Sequence, residues 1–421
     1  MRKLLIIYPH FPPSNLAGVH RPRIFANHLK KFGWEPVVLT VHEKYYEESL
    51  DWGLHSLLSK DLRIEKVSAY KITKPRIIGD IGLRAFFQLK NRALQLLQSE
   101  KFDCIYIPIP SFYTSLLGPI LLKKTGVNYC IDYIDPWVHD FPGSKKILSR
   151  HWLSKKIATI LEPIAVKNAS LITGVAQEYY LPVLSRNPHL FSSCKFASMP
   201  YGAEVSDFDL VNQLNVAPYL FNSNNKTKLV YAGAMLPKAY EPLENIFKSI
   251  ALNRLQYKEI EFYFIGTGKL YNDSESFNIK PLAEKYNLWN TIVFEFPQRF
   301  SYVDVLVHLI NAHGVFILGS TETHYTPSKV FQAILSKKPV LAILNKNSSA
   351  VEVIETIKAG LVLSFDQNHL SVIQSSFTTF FNEWKFFSQS YLFDEEKERY
   401  LQFHSGEQST KILVDSLNEI E

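Results

Sequence analysis

Short apolar runs alternate with helix-like segments along most of the chain, in two successive series. The first series has apolar runs at 4–8, 37–40, 103–108, 128–133 and 171–174, separated by segments whose apolar residues recur at helical spacing. The texture changes around Pro200, an Asn- and Ser-rich stretch at 216–227 lacks periodicity, and the alternation restarts at Leu229. Strand–helix alternation is typical of parallel α/β folds. The sequence therefore predicts two Rossmann-like domains facing each other across a cleft.

A chain of 421 residues exceeds the size of a single core. We expect a first domain at 1–205, a second at 206–380, and C-terminal helices at 381–421 that cross back to the first domain. These last residues are rich in aromatics and have no sheet of their own to cover. Packing across the domains, or back onto the first, is expected to bury Phe380, Phe381, Trp384, Phe386 and Phe387.

The amino-acid composition limits the classes of partner that the protein is expected to bind. Hydrophobic residues make up 46% and charged residues 20%, as in folded globular proteins. The net charge of +6 suits anionic small molecules or an anionic membrane surface, but it is too diffuse to indicate nucleic acid. Cys104, Cys130 and Cys194 lack metal-ligand spacing, and no metal site is expected. No apolar run is long enough for a signal-peptide core or a bilayer span, so we expect a cytoplasmic protein, with contact to the inner face of the cell membrane as an option.

The segment Gly314–Ile343 reads GVFILGSTETHYTPSKVFQAILSKKPVLAI: a strand, a polar loop, a helix and a second strand. Thr326 suits a helix N-cap and Pro327 the first helical position. The first N–H groups of a helix lack partners and attract anions, so this helix start is expected to hold a phosphate. Val330, Phe331, Ile334 and Leu335 form the expected buried stripe. Lys329 and Gln332 lie one turn apart on the other face.

Three further loops follow predicted strands, where open α/β sheets bind ligands. The first contains Gly18, the second contains Asp135, His139 and Asp140 around Trp137, and the third carries Lys238 after Gly233. Each also has a purely structural interpretation. Gly18 would lie in an ordinary turn, Asp135 would end a turn or cap a helix beside a core Trp137, Lys238 would be solvated, and Thr326–Pro327 would only cap.

The stretch 144–168, SKKILSRHWLSKKIATILEPIAVKN, combines lysine and arginine with an apolar set that helical spacing gathers on one broad face. One interpretation is a basic amphipathic helix at an anionic membrane, which would suit an acceptor carried on a polyprenyl lipid. The alternative is an ordinary helix whose apolar face belongs to the core.

An ordered series of segments resembles a known family over nearly the whole chain. The segments are PPSNLAGVHRPRIFANHLKKFGWEPVVLT, CIDYIDPW, MPYGAEVSDF, LVYAGAMLPKAYEPL, FYFIGTGKL, FEFP and TPSKVFQAILSKKPVLAI. In this order they resemble glycosyltransferases of the GT-B fold, close to the retaining, nucleotide-sugar-dependent family 4. The resemblance implies an acceptor-side first domain, a donor-binding second domain, retention of anomeric configuration, and neither cofactor nor metal.

The resemblance also implies roles for individual residues. Gly18 would approach the donor diphosphate, Lys238 would neutralise it as it leaves, and Asp135 or His139 would position the acceptor hydroxyl. Gln332 would reach the ribose, and Phe296 and Pro297 would lie beside the nucleobase. The remaining donor-site residues would be Gly233, His324, Tyr325, Thr326, Pro327, Ser328 and Lys329.

The expected function is that of a hexosyltransferase, in the EC 2.4 class. It would move a sugar from a nucleotide diphosphate sugar to a saccharide or lipid-linked saccharide during cell-surface polysaccharide synthesis. Three positions depart from the family pattern: His324 and Gln332 stand where glutamates are frequent, and Ala234 stands where an arginine is frequent. They motivate one alternative, a catalytically impaired GT-B scaffold that serves as a partner subunit. A sugar-nucleotide epimerase is the other.

Overall fold

A computed structural model describes residues 1–73, 78–139, 146–214, 216–270, 273–321, 329–366 and 368–420. The chain forms two compact units. The N-terminal unit comprises Met1–Gly202 and His404–Glu421, and the C-terminal unit comprises Ala203–Phe403. The change of unit at Gly202 lies within a few residues of the boundary expected at 205, whereas the return to the N-terminal unit occurs at His404, well after 381.

Within the described part of the N-terminal unit, seven parallel strands form a sheet in the order β3-β2-β1-β4-β5-β6-β7. The strands are β1 (Arg2–Ile7), β2 (Trp34–Val41), β3 (Arg63–Val67), β4 (Cys104–Ile109), β5 (Tyr129–Tyr133), β6 (Leu171–Gly174) and β7 (Lys195–Ser198). The inner strands are buried on both faces, which explains their continuous apolar runs. The edge strands β3 and β7 are partly exposed and polar, and the apolar pattern did not predict them.

Helices cover both faces of this sheet. They are α1 (His20–His28), α2 (Trp52–Ser56), α3 (Ile81–Arg84), α4 (Phe86–Ser99), α5 (Leu117–Thr125), α6 (Arg150–Val166), α7 (Gln177–Arg186) and α8 (Leu190–Ser193). A short 3₁₀ turn extends α1, and the chain then stops at Gly33, whose φ of 80° is the left-handed conformation that glycine adopts readily. Gly33 therefore ends the first helical segment.

The described part of the C-terminal unit contains a second parallel sheet of six strands, in the order β10-β9-β8-β11-β12-β13. Its strands are β8 (Thr227–Ala232), β9 (Ile260–Ile265), β10 (Val293–Phe296), β11 (Gly314–Leu318), β12 (Val340–Asn345) and β13 (Gly360–Phe365). The second series of alternation, which restarts at Leu229, thus corresponds to a sheet whose first strand includes Leu229, and the two strands predicted in Gly314–Ile343 are β11 and β12. The two Rossmann-like α/β units predicted from the alternation are therefore confirmed.

The helices of the C-terminal unit follow the same alternation. They are α9 (Val205–Leu214), α10 (Tyr240–Leu252), α11 (Lys280–Lys285), α12 (Tyr302–Asn311), α13 (Lys329–Leu335), α14 (Ser349–Thr356), α15 (Ser371–Gln389) and α16 (Glu395–Phe403). In α13, Val330, Ile334 and Leu335 are buried as expected, while Phe331 is only half-buried.

The aromatic helix α15 belongs to the C-terminal unit, which corrects the expectation that it has no sheet to cover. Phe380, Phe381 and Trp384 are buried with residues of the second sheet, and the Trp384 indole Nε1 donates to the Val340 carbonyl oxygen at 3.1 Å. Phe386, expected to be buried, is 78% exposed because it lies on the opposite face of the helix. Phe387 is half-buried.

A last helix, α17 (Gly406–Asn418), completes the N-terminal unit. Its Leu413, Val414 and Leu417 are buried in a cluster that includes Leu4 of β1 and Phe25 of α1. Polar contacts reinforce this packing: the Ser409 hydroxyl donates to the Pro200 carbonyl oxygen at 2.7 Å, and the Trp34 indole donates to Asn418 Oδ1 at 3.3 Å. Within the C-terminal helices, only the stretch from His404 onward therefore returns to the N-terminal unit.

Candidate functional site

Strand order reverses between β8 and β11, so the loops that follow these two strands diverge at the carboxyl edge of the second sheet. Such a reversal leaves a crevice in which open α/β sheets bind ligands. The two loops also contact each other, because the Thr321 amide donates to the Lys238 carbonyl oxygen at 3.1 Å. Lys238 itself is exposed. The chain segments that follow these strands, at 233–238 and 319–321, therefore start from one edge of the C-terminal sheet.

Gly233 follows β8 with a φ of +107°, which an L-residue with a side chain rarely adopts. Its amide donates to the Ile265 carbonyl oxygen at 2.7 Å. A Cβ atom at this position would lie 2.7 Å from both Cε and Nζ of Lys329. Glycine is thus favoured by the turn of the backbone, and the missing side chain leaves room for the end of the Lys329 side chain. The structure brings together Gly233 and Lys329, which the sequence had assigned to one site.

The Lys329 ammonium lies at this same edge. Its Nζ is 3.2 Å from the Tyr231 hydroxyl oxygen and 4.4 Å from the centre of the Tyr231 ring. Burial raises the pKa of Tyr231, so the phenol remains neutral and contributes the face of its ring to a cation–π contact. From the sequence, Lys329 could only be assigned to one face of a helix. The contact with Tyr231 shows where its ammonium lies.

Gln332 follows one turn later and is half-buried. Its Nε2 donates to the Tyr302 hydroxyl oxygen at 3.4 Å, a weak and neutral contact. Lys329 and Gln332 line one small pocket together with Tyr231, Phe316 and Leu318. The two side chains thus lie close together as predicted, and the pocket contains a cation and an amide.

The other predicted donor residues lie at the ends of neighbouring strands. Phe296 ends β10, is half-buried, and stacks 6.3 Å from the ring of Tyr263. Pro297 is buried, and its carbonyl oxygen accepts from the Gly268 amide at 2.9 Å. Both therefore have the carboxyl-edge position that the resemblance implies. Their role beside a nucleobase stays a prediction.

Five predicted donor residues, His324, Tyr325, Thr326, Pro327 and Ser328, lie outside the residues that the structure describes, as does Asp140 of the first domain. The expected N-cap at Thr326 and the phosphate-holding helix start therefore remain predictions. Helix α13 is described from Lys329 onward.

The first sheet reverses order in the same way, between β1 and β4. Gly18 lies in a 3₁₀ turn just before α1, and a Cβ atom there would lie 2.4 Å from the Tyr8 hydroxyl oxygen. Contact with Tyr8 is thus a sufficient structural reason for glycine at this position. Burial raises the pKa of Tyr8, with Asp135 and Glu48 adding to the effect, so this hydroxyl is a neutral group inside the loop.

Asp135 follows β5 and is exposed, yet loss of hydration raises the pKa of its carboxyl, and His139 opposes that rise. Trp137 is buried and stacks on Phe112 with ring centres 5.6 Å apart. The structural interpretation of Trp137 as a core residue is therefore confirmed. His139 is half-buried. Asp135 and His139 lie in one loop at the carboxyl edge of the first sheet, while a role in positioning an acceptor stays a prediction.

A buried ion pair beneath this edge escaped the sequence analysis. Arg21 donates from Nε to Asp132 Oδ2 at 2.6 Å and from Nη2 to Oδ1 at 3.2 Å, and both side chains are almost completely buried. The hydroxyls of Tyr106 and Thr173 donate to the same carboxylate at 2.5 and 2.8 Å. Burial by itself would lower the pKa of Arg21, but Asp132 outweighs it and the pKa is raised. The carboxylate is therefore fully satisfied, and it binds α1 to β4, β5 and β6.

Helix α6 presents a mixed surface. Ala158, Glu162 and Ala165 face the core, and Glu162 pairs with Arg186 at 2.8 Å. Leu153, Ile160 and Ile164 are 53%, 64% and 52% exposed, at a spacing that puts them on one face. The single broad apolar face expected from the sequence is thus divided, because small residues and Glu162 take the core side. Across the described ranges, no helix is long and apolar enough to cross a membrane.

No group of three or more histidine, cysteine, aspartate or glutamate side chains in the described part of the chain is arranged to hold a metal ion. The three cysteines are buried and unpaired by disulfides. The expected independence of metal and cofactor stays a prediction.

Comparison with known proteins extends these observations. The sequence matches no protein-family profile and no curated protein. By structure, the chain is similar to a sucrose-phosphate synthase from Thermosynechococcus elongatus, with a TM-score of 0.62 at 14% identity over 100% of this chain and 99% of the other. It is similar to HepE from Anabaena in complex with UDP and glucose, with a TM-score of 0.60 at 14% identity over 100% of both chains. It is also similar to a UDP-forming trehalose-phosphate synthase from Burkholderia xenovorans, with a TM-score of 0.64 at 11% identity over 100% of this chain and 99% of the other.

At these identities the likeness concerns the fold. Its coverage is complete on both sides, so both α/β units and the C-terminal helices correspond to parts of the similar structures. The neighbours are GT-B glycosyltransferases. The chain therefore has the GT-B fold, as the ordered series of sequence segments predicted.

Proposed function

We propose that the protein is a glycosyltransferase that uses a nucleotide diphosphate sugar as donor. The observation that carries this proposal is the arrangement after β8 and β11, where the ammonium of Lys329 lies close beside the backbone of Gly233. A second lysine, Lys238, lies in the loop joined to Thr321 at the same edge. Positive charge at the switch point of a Rossmann-like unit is the chemistry that a diphosphate needs.

The chemical role follows from where charge develops. When the bond between the anomeric carbon and the diphosphate breaks, the electron pair stays on the phosphate oxygen. Fixed cations and N–H groups stabilise that charge, and such electrostatic stabilisation is usually the largest single contribution to catalysis. The Tyr231 ring orients the Lys329 ammonium before any ligand binds, so the lysine side chain needs little reorganisation during the reaction. HepE, which is similar in fold, is described in complex with UDP and with UDP-glucose, and this supports UDP as the first nucleotide to test.

We further propose the finer features that the family resemblance implies. The acceptor is a saccharide or a lipid-linked saccharide of cell-surface polysaccharide synthesis, it is bound on the N-terminal side with Asp135 and His139 in contact, and the reaction retains anomeric configuration. Proton NMR of the first-formed glycoside distinguishes retention from inversion, since the two anomers differ in the coupling of the anomeric proton for glucosyl and galactosyl products.

Binding of a nucleotide diphosphate is the first prediction. UDP at about 100 times its dissociation constant is expected to stabilise the folded protein by about 2.7 kcal/mol. For a unit of this size that corresponds to a rise of several degrees in melting temperature, since about 1 kcal/mol shifts it by about 2–4 °C. Differential scanning fluorimetry with UDP, GDP, ADP and TDP measures the shift.

Sugar nucleotides of the best base are then tested for transfer and for hydrolysis. Uridine at the same concentration is the matched control, because it has the base and ribose but no diphosphate, and we expect it to shift the melting temperature far less. If none of the four diphosphates changes the melting temperature, the proposed function is wrong.

One observation favours a second candidate, a scaffold that binds the nucleotide without turnover. Gln332 is neutral and already donates to Tyr302, so no carboxylate assists the ribose contact at this position. A protein of this kind would show the UDP shift but neither transfer nor hydrolysis with any sugar nucleotide of the matching base. Recovery of a glycoside product with the purified protein excludes it.

We also propose that α6 contacts an anionic membrane from the cytoplasmic side. The exposed stripe of Leu153, Ile160 and Ile164 continues N-terminally into Ile147 and Leu148, which are 72% and 85% exposed. Basic residues flank the stripe: Lys146, Arg150 and Lys156 are all exposed. An apolar strip with basic flanks complements the interface of an anionic bilayer. Such contact would bring the protein to a lipid-linked acceptor.

Vesicle binding tests this second prediction. We expect the protein to sediment with vesicles of phosphatidylcholine and phosphatidylglycerol, and less with phosphatidylcholine alone or at high salt. The triple variant Leu153→Ser, Ile160→Ser, Ile164→Ser is expected to weaken binding by about tenfold or more, because each fully buried aliphatic side chain contributes about 1.5–3 kcal/mol.

The matched control is the double variant Leu252→Ser, Leu255→Ser, which removes two aliphatic side chains that are 74% and 85% exposed elsewhere on the surface. It is expected to bind vesicles as the wild type does. Equal binding of the triple variant and the wild type would show that the stripe is not the contact.

A further inference from the structure

The loop after β1 holds a histidine–carboxylate pair that none of the sequence segments had marked. His10 Nδ1 lies 2.8 Å from Glu48 Oε1, and the Ser14 hydroxyl donates to the same carboxylate oxygen. The side chains of His10 and Glu48 are only 18% and 8% exposed. The pair follows β1 directly, at the switch point of the N-terminal sheet. It therefore occupies, in the N-terminal unit, the position that Gly233 occupies in the C-terminal unit.

The loop carrying this pair is held in place by several hydrogen bonds. The Tyr46 hydroxyl accepts from the Phe11 amide at 3.1 Å and lies 3.2 Å from the Pro9 carbonyl oxygen. The Asp51 amide donates to the Pro13 carbonyl oxygen at 2.7 Å. Because both sides of His10 are anchored to the segment 46–51, the imidazole is positioned before any ligand binds.

The Glu48 carboxylate also determines which nitrogen of the His10 ring carries the proton. Burial by itself would raise the pKa of Glu48, but the hydrogen bonds from His10 and Ser14 outweigh it, and the net shift is downward. An ionised carboxylate accepts only, so in the neutral imidazole the proton lies on Nδ1 and Nε2 keeps its lone pair. Within the described ranges, no hydrogen bond to His10 Nε2 is found. This nitrogen is thus an oriented acceptor.

A second, independent observation lies at the neighbouring strand end. The Ser111 hydroxyl, just after β4, is buried and has no hydrogen-bond partner among the described residues. A Cβ atom on Gly82 would lie 2.5 Å from this hydroxyl and 3.1 Å from Asp80 Oδ1, so both oxygens lie close to Gly82. Burial raises the pKa of the Asp80 carboxyl, and His10 opposes that rise. Buried polar groups without partners are rare and indicate an unfilled hydrogen-bonding need.

We propose that His10, oriented by Glu48, binds a hydroxyl group of the sugar substrate through Nε2, with the Ser111 hydroxyl as a further contact. A saccharide matches this set because its hydroxyls both donate and accept, and because the rings of Tyr8 and Tyr46 flank the imidazole, with ring centres 6.3 and 5.6 Å away. The inference rests on the proposed transferase function for the identity of the sugar as a substrate. The sugar is that of either the acceptor or the donor, and kinetics separate the two.

Two substitutions separate the roles of the two nitrogens of the His10 ring. His10→Asn keeps a donor near the position of Nδ1 for Glu48 but has no atom in place of Nε2, whereas His10→Gln places an acceptor near Nε2. With the donor found for the wild type, His10→Asn is expected to lower kcat/KM by about 10-fold to 100-fold, the loss expected when a buried polar contact to substrate is removed. His10→Gln is expected to recover part of it. The UDP-induced shift in melting temperature should stay unchanged in both.

If His10 binds the acceptor sugar, the Michaelis constant for the acceptor is expected to rise in His10→Asn. If His10 binds the donor sugar, the Michaelis constant for the donor is expected to rise instead. His42→Asn is the matched control, because His42 is a partly exposed histidine whose Nδ1 accepts from the Lys44 amide at 3.3 Å, and asparagine can accept that bond equally well. Wild-type kcat/KM for both substrates in a folded His10→Asn protein overturns the proposal.

A measurement without turnover keeps this test separate from that of the transferase function. In ¹⁵N-histidine-labelled protein at pH 8, the His10 resonances, assigned by their loss in His10→Asn, are expected to show a protonated Nδ1 and an unprotonated Nε2. UDP-glucose or methyl α-glucoside, methyl α-galactoside or methyl α-mannoside at high concentration is expected to shift the Nε2 resonance. A protonated Nε2, or no shift with all four probes, overturns the inference even if UDP binds, while a shift without any transfer supports it independently.

Discussion

Replacing Lys329 by methionine is expected to lower kcat/KM for the nucleotide-sugar donor by about 10²–10³-fold, the loss found when one preorganised electrostatic contact to a developing charge is removed. Methionine keeps most of the aliphatic stem that packs beside Gly233, so the change is mainly one of charge. The UDP-induced rise in melting temperature should shrink as well, because the diphosphate carries charge in the ground state too. Steady-state kinetics and fluorimetry on the same preparations measure both.

Lys248→Met is the matched control, since it removes an equal charge from the partly exposed surface of α10. It should behave as the wild type. Lys329→Arg keeps the charge but is expected to retain little activity, because a guanidinium is larger and planar and does not reproduce the position of the ammonium over the Tyr231 ring. Wild-type kinetics in Lys329→Met would remove Lys329 from the proposed donor site.

Arg21→Met is expected to lower the free energy of unfolding of the N-terminal unit by about 3–5 kcal/mol, because it leaves Asp132 as an uncompensated buried charge. For a unit of this size the melting temperature should fall by on the order of 10 °C. Calorimetry is the suitable measurement, because it can resolve separate transitions of the two units. The hydroxyls of Tyr106 and Thr173 still donate to Asp132 in the variant, which limits the loss.

The double variant Arg21→Met, Asp132→Asn removes both charges and is expected to be more stable than Arg21→Met alone. Arg92→Met is the control: its partner Glu65 is at 2.8 Å but both side chains are partly exposed, so the expected loss is below about 1 kcal/mol. If Arg21→Met costs no more than Arg92→Met, the pair does not stabilise the unit as described.

The fold was predictable because its central strands are buried on both faces. Strands such as β4 and β12 appear in sequence as uninterrupted apolar runs, and the helices between them show the 3.6-residue period. The edge strands β3 and β7 lack this signal because they are half in water. Helix α15 was assigned to the wrong surroundings, since periodicity shows that a face is buried but not which surface buries it.

From spacing alone the site was predictable only where one short segment carries it, whereas the assignment of Gly233 and Lys329 to one site came from the family resemblance. Lys329 and Gln332 lie in one helix, so their shared pocket followed from spacing. Pairs formed across the fold did not: Arg21 is 111 residues from Asp132, and His10 is 38 residues from Glu48. Each member alone resembles an ordinary charged or polar residue. Only the strand order, which places β1 beside β2 and puts β5 two strands away from β1, brings the members together.

The return of α17 to the N-terminal unit has a consequence for synthesis on the ribosome. Domains generally fold in the order in which they emerge. Here the surface of β1 and α1 that Leu413, Val414 and Leu417 cover stays unprotected until the whole C-terminal unit has been translated. The unit that emerges first is therefore completed only when α17 emerges, and during that interval its uncovered apolar surface is accessible to a chaperone.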